Sequence, residues 1–169
     1  MSYLKEKYTH KPDPVPAGLL LNPVHFLSLG FGSGLSRIAP GTMGTLAAIP
    51  VYLFIHELSP LYYSLLVLLF LFSGFWLCQK TSVALGVDDH SGIVWDEIVG
   101  YLITMAFVPT NVITVILGFL LFRLFDIVKP WPIRNLDRKL HGGVGIMLDD
   151  VLAGLYAAIV LQGLLYFTL

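Results

Sequence analysis

Long apolar and polar stretches alternate along this chain. The apolar stretches cover residues 45–56, 61–78, 98–108, 112–128 and 151–169. The second approaches the roughly 20 residues that a helix needs to cross a bilayer, whereas the first and third are short for a full crossing. The pattern predicts an all-α fold, a single multi-pass membrane bundle of about five helices. It leaves open whether the two short stretches cross.

Polar sequence precedes and interrupts these stretches. Residues 1–21 carry three prolines and no continuous apolar run, so they are predicted to form a mobile polar arm rather than a signal peptide. Residues 22–169 are predicted to form one membrane-embedded domain. Two long polar segments, 79–92 and 129–150, are predicted to be loops.

Apart from Arg123, every Lys and Arg lies before the first apolar stretch or in one of two alternate connections. The segment before the first stretch and the two long polar segments are basic, whereas residues 56–60 and 109–111 contain neither Lys nor Arg. Basic residues near spanning helices gather on the cytoplasmic side. Both long loops, together with nearly all of the acidic residues, are therefore predicted to face the cytoplasm.

Composition supports a membrane protein and excludes some functions. The chain has 169 residues, is 56% hydrophobic and has a mean hydropathy of +0.79, well above a soluble domain. A formal net charge of −1 gives no basic footprint for nucleic acid. With Cys78 as the single cysteine, neither a disulfide framework nor a multi-cysteine metal site can form.

Two acidic doublets precede apolar stretches. Asp96 and Glu97 come before the third stretch, and Asp149 and Asp150 before the fifth. Each doublet is predicted to begin a helix, where the helix dipole favours carboxylates. If the two helix starts face each other, the clustered carboxylates need a cation between them. An all-carboxylate set favours Mg²⁺, and we prefer this metal site to simple helix capping.

Charged residues of the fourth stretch share a helical face. Arg123, Asp126 and Lys129 recur at every third position. An ionisable residue inside a predicted span is a functional candidate, although an Arg123–Asp126 pair that only satisfies itself is equally open.

Further candidates lie in the connecting segments. Arg134 and Arg138 could bind a substrate phosphate, but topology and anionic-lipid contact are the commoner roles of such a basic loop. The run of Gly41, Thr42 and Gly44 could present helix N–H groups to a phosphate, or could simply be a tight packing corner. His90 could donate a proton near neutral pH.

Three separated segments together resemble one known family. They are FGSGLSRIAPGTMGTLAAIP, DDHSGIVWDEIVG and FRLFDIVKPWPIRNLDRKLHGGVGIMLDDVLAG. They resemble the phosphatidylglycerophosphatase A family of bacterial membrane lipid phosphatases, and the likeness covers residues 22–154. Its motif positions correspond to Gly41, Thr42, Gly44, Asp89, Asp96, Glu97, Gly100, Arg123, Asp126, Lys129, Asp149 and Asp150.

The resemblance implies a Mg²⁺-dependent enzyme of the bacterial inner membrane, with its active site facing the cytoplasm. Such an enzyme removes the terminal phosphate of phosphatidylglycerophosphate to give phosphatidylglycerol, a step of phospholipid synthesis.

A mechanistic hypothesis assigns roles to these residues. Asp96 or Glu97, together with Asp149 or Asp150, would hold Mg²⁺, which would activate a water for attack on phosphorus. Arg123, Lys129, Arg134 and Arg138 would neutralise the phosphate oxygens. In the catalytic set, Asp126 would orient the water and His90, with Asp89 beside it, would protonate the leaving oxygen.

Other interpretations stay open. A carboxylate could attack phosphorus directly. The leading alternative from another class is a small ion-coupled membrane transporter that uses Asp126 and Arg123. A CDP-alcohol phosphatidyltransferase is disfavoured, because its signature cannot be laid on this chain.

Overall fold

All regular structure in the described part of the chain is helical. The computed structural model describes residues 14–137 and 139–168. The α-helices are α1 Pro23–Ser28, α2 Pro40–Ile55, α3 Pro60–Leu85, α4 Trp95–Thr104, α5 Val112–Val128, α6 Ile133–Asp137 and α7 Gly142–Thr168. Two 3₁₀ segments, Ala17–Leu21 and Gly30–Leu35, flank α1. The predicted all-α fold is confirmed for these residues, whereas residues 1–13 of the predicted arm lie outside them.

Helix α5 has the bounds that the apolar pattern predicted. Asn111 begins it with a capping box, in which its side chain accepts the Thr114 N–H and the Thr114 hydroxyl accepts the Asn111 N–H. Lys129 ends it with a left-handed backbone, φ 45°. Local signals at both ends therefore agree with the hydrophobic pattern between them.

Both predicted polar loops are wrong in part. Helix α3 continues to Leu85 inside residues 79–92. Residues 129–150 contain α6 and the first turns of α7, which begins at Gly142. Asp149 and Asp150 therefore lie inside a helix and do not begin one. The start of α7 is instead capped by other side chains, because Asp88 Oδ1 accepts the Gly142 N–H at 3.1 Å and Gln79 Oε1 accepts the Gly143 N–H at 2.8 Å.

Within residues 14–137 and 139–168, two helices are long and apolar enough to cross a membrane, judged by length and composition alone. They are α3 and the segment Gly142–Phe167 of α7, with mean hydropathies of 2.0 and 1.9. Helix α3 also leaves large apolar side chains exposed, among them Leu69, Phe72 and Trp76. An apolar exterior of this kind is typical of a surface that contacts lipid or another protein.

Helix α7 lies at the centre of the bundle, where it packs against α3, α4, α5 and α6. The core around it includes Tyr101, Phe122, Met147 and Leu161, all fully buried. Side chains on different faces of α7 therefore contact different neighbouring helices.

Helices α4 and α7 cross through glycines. A Cβ at Gly100 would lie 2.8 Å from the Asp150 carbonyl oxygen, and a Cβ at Gly154 would lie 3.2 Å from Gly100 Cα. The Thr104 hydroxyl donates to the Gly100 carbonyl at 3.0 Å and lies 3.3 Å from the Gly154 carbonyl. Residues four positions apart share a helical face, so this crossing places Asp96 beside Asp150.

Candidate active site

Three carboxylates from two helices form a cluster at the α4–α7 crossing. Asp96 and Glu97 lie in the first turn of α4 and Asp150 lies in α7, and one oxygen atom of each is within 4.8 Å of the others. Asp150 is only 3% exposed. Asp96 Oδ1 and Glu97 Oε2 are buried without a hydrogen-bond partner among the described residues. The first doublet therefore converges with one member of the second, Asp150.

Burial disfavours the ionised forms of this cluster. Desolvation is the main cause that raises the pKa of Asp96 well above its usual range, and the neighbouring Glu97 charge adds to it. Desolvation likewise raises the pKa of Glu97 to about 7. Like charges held this close stay ionised only when a cation compensates them. Carboxylate oxygens are the donors that hard divalent cations prefer, so the unpartnered oxygens fit an ion such as Mg²⁺.

Arg123 supplies positive charge at one side of the cluster. Its Nη1 atom lies 2.5 Å from Asp126 Oδ2 and 3.9 Å from Glu97 Oε1, and its side chain is 15% exposed. Asp126 also interacts with Asp150. The Arg123–Asp126 pair thus forms, but both of its members also contact the cluster, so it is more than an isolated structural pair.

The N-terminus of α2 closes over Arg123 and Glu97. A Cβ at Gly41 would lie 3.1 Å from Arg123 Nη1 and would overlap the Glu97 carboxylate. No side chain in the described part of the chain caps α2, so N–H groups of its first turn are suited to an anion. Thr42 follows Gly41 and is partly buried. Gly44, in contrast, packs against Val94, as the packing-corner alternative describes.

Lys129 and Asp149 form a second ion pair. Lys129 Nζ lies 2.5 Å from Asp149 Oδ2, and their side chains are 27% and 11% exposed. Asp149 does not belong to the group of carboxylates whose ligand atoms converge in the described residues. The second doublet is therefore divided, with Asp150 in the cluster and Asp149 at Lys129.

The remaining candidates lie in connecting segments. His90 is buried, and its Nδ1 accepts the Gly92 N–H at 3.0 Å, which places the proton of the neutral ring on Nε2. Asp89 is exposed on the same loop, and Arg134 is exposed on α6. Arg138 lies outside the described residues.

Sequence reasoning missed the residues that hold the site together. Gly154 had no assigned role, and neither had Thr104, Gln79 and Asp88, which fix the crossing and the start of α7. The sequence does contain a signal for the crossing. Gly100 and Thr104 are small residues four positions apart, and Gly154 is likewise followed four positions later by an alanine. No comparable pattern marked the two capping side chains.

The sequence is similar to known proteins over most of its length. Residues 26–165 match the family model described as "PgpA: Phosphatidylglycerophosphatase A". A phosphatidylglycerophosphatase A of Escherichia coli K12 is 52% identical, covering 86% of this chain and 83% of the relative. One of Haemophilus influenzae is 46% identical, with 93% and 98% covered.

A third relative, from Bacteroides thetaiotaomicron, is 43% identical over 80% of this chain and 89% of its own length, and carries the provisional name phosphatidylinositol-3-phosphatase. No solved structure matches the chain.

The described fold is a helical bundle with apolar helices, and its buried carboxylate cluster is flanked by basic side chains. Together with the similarity to these proteins, this defines the class of the protein: it is an enzyme that hydrolyses phosphoric monoesters. The match covers most of the chain at high identity. The chain belongs to the phosphatidylglycerophosphatase A family. Its association with membranes agrees with the two apolar helices.

Proposed function

We propose that this protein hydrolyses phosphatidylglycerophosphate to phosphatidylglycerol and inorganic phosphate with the help of Mg²⁺. The observation that carries the proposal is the convergence of Asp96, Glu97 and Asp150 beside the Arg123 guanidinium. Family membership supplies the substrate, and the unpartnered carboxylate oxygens support the metal. The transporter alternative is not favoured, because the relatives are phosphatases.

In this proposal the cluster would hold the ion. Bound there, Mg²⁺ supplies a Lewis acid that polarises the phosphoryl group and makes water a better nucleophile. Arg123 and the first turn of α2 would bind phosphate oxygens as their charge redistributes in the transition state. Asp126, between Arg123 and Asp150, would accept a proton from the attacking water.

His90 is proposed to protonate the leaving glycerol oxygen. In this arrangement Nδ1 accepts the Gly92 N–H, so a general acid at this position requires the imidazolium ring, with Nδ1 protonated and released from the Gly92 N–H. Asp89 lies next to it on the loop and would assist this proton transfer.

Trapping a phosphorylated aspartate after rapid quenching would instead establish direct carboxylate attack.

Activity measurements test the proposal directly. We expect the purified full-length protein in detergent micelles to release phosphate from phosphatidylglycerophosphate with Mg²⁺ and to stop in EDTA. Asp96→Asn and Asp150→Asn should each lose most activity, because each removes one anionic oxygen from the cluster. Glu57→Gln is the matched control, since Glu57 is an exposed acid in the short α2–α3 connection. Full activity in both cluster variants would exclude them as metal ligands.

Substrate choice needs its own comparison. Phosphatidic acid and phosphatidylinositol 3-phosphate also carry a phosphomonoester, the first on diacylglycerol itself and the second on the inositol ring. We expect phosphatidylglycerophosphate to give the highest kcat/KM of the three, as the family name implies. A preference for the inositol lipid would instead match the name of the third relative.

We further propose an inner-membrane protein with several crossings whose active site faces the cytoplasm. The support is that every Lys and Arg except Arg123 lies before the first apolar stretch or in one of two alternate connections. Exposed Ser91 lies in the loop before α4 and exposed Ser59 in the connection before α3. A membrane-impermeant maleimide should label Ser91→Cys from the cytoplasmic side and Ser59→Cys from the other, over little background from the buried Cys78. Labelling of both from one side would refute this topology.

A further inference from the structure

The two carboxylates of the second doublet point to different partners. Asp150 joins Asp96 and Glu97 within 4.8 Å, whereas Asp149 Oδ2 lies 2.5 Å from the Lys129 ammonium. Consecutive positions on a helix point about 100° apart, since each turn holds 3.6 residues. A doublet inside α7 can therefore serve two sites on two neighbouring helices.

Lys129 is held in an unusual place by its backbone. It directly follows Val128, the last residue of α5, and has a left-handed conformation, φ 45° and ψ 65°. Its N–H still donates to the Phe125 carbonyl at 2.9 Å, so the backbone is tied to the helix. It follows Asp126 by three residues, and Asp126 interacts with Asp150 of the cluster. The ammonium group is placed beside the cluster by Asp149, which it contacts and which is the electrostatic neighbour of Asp150.

A lysine side chain needs a partner to hold one position. It loses rotamer entropy when it is fixed. A charge-assisted hydrogen bond to a largely buried carboxylate, here 11% exposed, can offset that loss. The same contact directs Asp149 Oδ2 at an ammonium group, which is a poor arrangement for a carboxylate oxygen that must also ligate a cation.

We propose that Asp149 is a positioning residue that holds the Lys129 ammonium at the edge of the cluster, where it receives the phosphate of the lipid substrate. Asp149 is thereby assigned to the phosphate side of the site and Asp150 to the metal side. The inference rests on the proposed function and goes beyond it by dividing the doublet.

The decisive comparison is between Asp149→Asn and Asp150→Asn in the full-length protein in detergent micelles. The first readout is independent of turnover: the rise in melting temperature when Mn²⁺ or Mg²⁺ is added. We expect Asp149→Asn to keep this rise and Asp150→Asn to lose it. Loss of the rise in Asp149→Asn to the same extent would make Asp149 a ligand and would overturn the inference.

The second readout is a double-mutant cycle on phosphate release from phosphatidylglycerophosphate. We expect Asp149→Asn to lower kcat/KM about tenfold, mainly through KM, because contacting residues are energetically coupled and the affected group binds the substrate. In a Lys129→Ala background the same change should cost less than about twofold, since its effect passes through Lys129. Fully multiplying effects would overturn the inference.

Two further outcomes separate folding and function from positioning. If Asp149→Asn shows no melting transition, Asp149→Glu replaces it, and partial recovery of KM is expected because the carboxylate is kept. Failure of Asp149→Glu to recover any KM would overturn the inference. A wild-type protein that releases no phosphate from the lipid would overturn the proposed function itself, and the inference with it.

Discussion

A methyl group added at Gly154 should separate the two helices that form the carboxylate cluster. The new Cβ would overlap the Gly100 carbonyl group and lie 3.2 Å from Gly100 Cα. These atoms are backbone of α4 and cannot rotate aside, so α4 and α7 must move apart. Asp96 and Glu97 lie one turn before Gly100, and Asp150 lies one turn before Gly154. Any separation at the crossing is therefore transmitted to the cluster.

The magnitude can be isolated by a control on the same helix. Gly163 also lies in α7, and a Cβ there would meet nothing within 4 Å. Both Gly→Ala changes gain roughly 1 kcal/mol of helix propensity, whereas only Gly154→Ala adds an overpacking cost of roughly 1–3 kcal/mol. We therefore expect Gly154→Ala to melt about 2–12 °C below Gly163→Ala, at about 2–4 °C per kcal/mol for a chain of this size.

Activity should fall further than stability requires. A misplacement of about 1 Å in a catalytic group can lower turnover by about 100-fold. Phosphate release by Gly154→Ala, measured at a temperature where both variants are folded, should fall by at least about tenfold relative to Gly163→Ala. Equal melting temperatures together with equal activities would refute the claim that this glycine contact sets the geometry of the cluster.

Three further substitutions test separate contacts. Gly41→Ala should lower phosphate release by about tenfold or more, because its Cβ would press on the Glu97 carboxylate and on Arg123, while Gly18→Ala, where a Cβ would meet nothing within 4 Å, should leave release unchanged. Arg123→Lys should keep the charge but raise KM for the lipid, since a point charge replaces a planar fork of donors, and an unchanged KM would remove Arg123 from phosphate binding. Tyr63→Phe should lower the free energy of unfolding by roughly 1 kcal/mol, which corresponds to a fall of about 2–4 °C in melting temperature, and should leave kcat unchanged. The change removes only the 2.7 Å hydrogen bond from the Tyr63 hydroxyl to the Leu102 carbonyl.

Helix boundaries were predictable where local signals agreed with the hydrophobic pattern. Asn111 and Lys129 mark the ends of α5, and both follow from cap chemistry and a change in polarity. The start of α7 was not predictable in the same way. Gly142 and Gly143 resemble a loop in sequence, and only Gln79 and Asp88, more than fifty residues earlier, satisfy their N–H groups. A cap supplied by a distant element leaves no local signal.

The residue types of the candidate site were predictable, but their pairing was not. Acidic doublets in an apolar chain indicate an inward-facing cluster, because isolated charges are costly there. Which carboxylate of a doublet faces which neighbour depends on how α7 is rotated. That rotation is set by glycine contacts at Gly100 and Gly154, which are tertiary. The separation of Asp149 from Asp150 therefore required the folded arrangement.

The balance of charges at the site predicts that the lipid substrate would bind more tightly when a divalent cation is present. The described side chains at the site include five carboxylates, Asp96, Glu97, Asp126, Asp149 and Asp150, and two cations, Arg123 and Lys129. If all were ionised, negative charge would be in excess before any substrate entered. A phosphomonoester brings about two further negative charges near neutral pH, so its entry without a divalent ion would meet net repulsion in a poorly solvated site. Substrate affinity should therefore depend on the cation as strongly as turnover does, and a site that bound the lipid equally well in EDTA would have to be built on different residues from these.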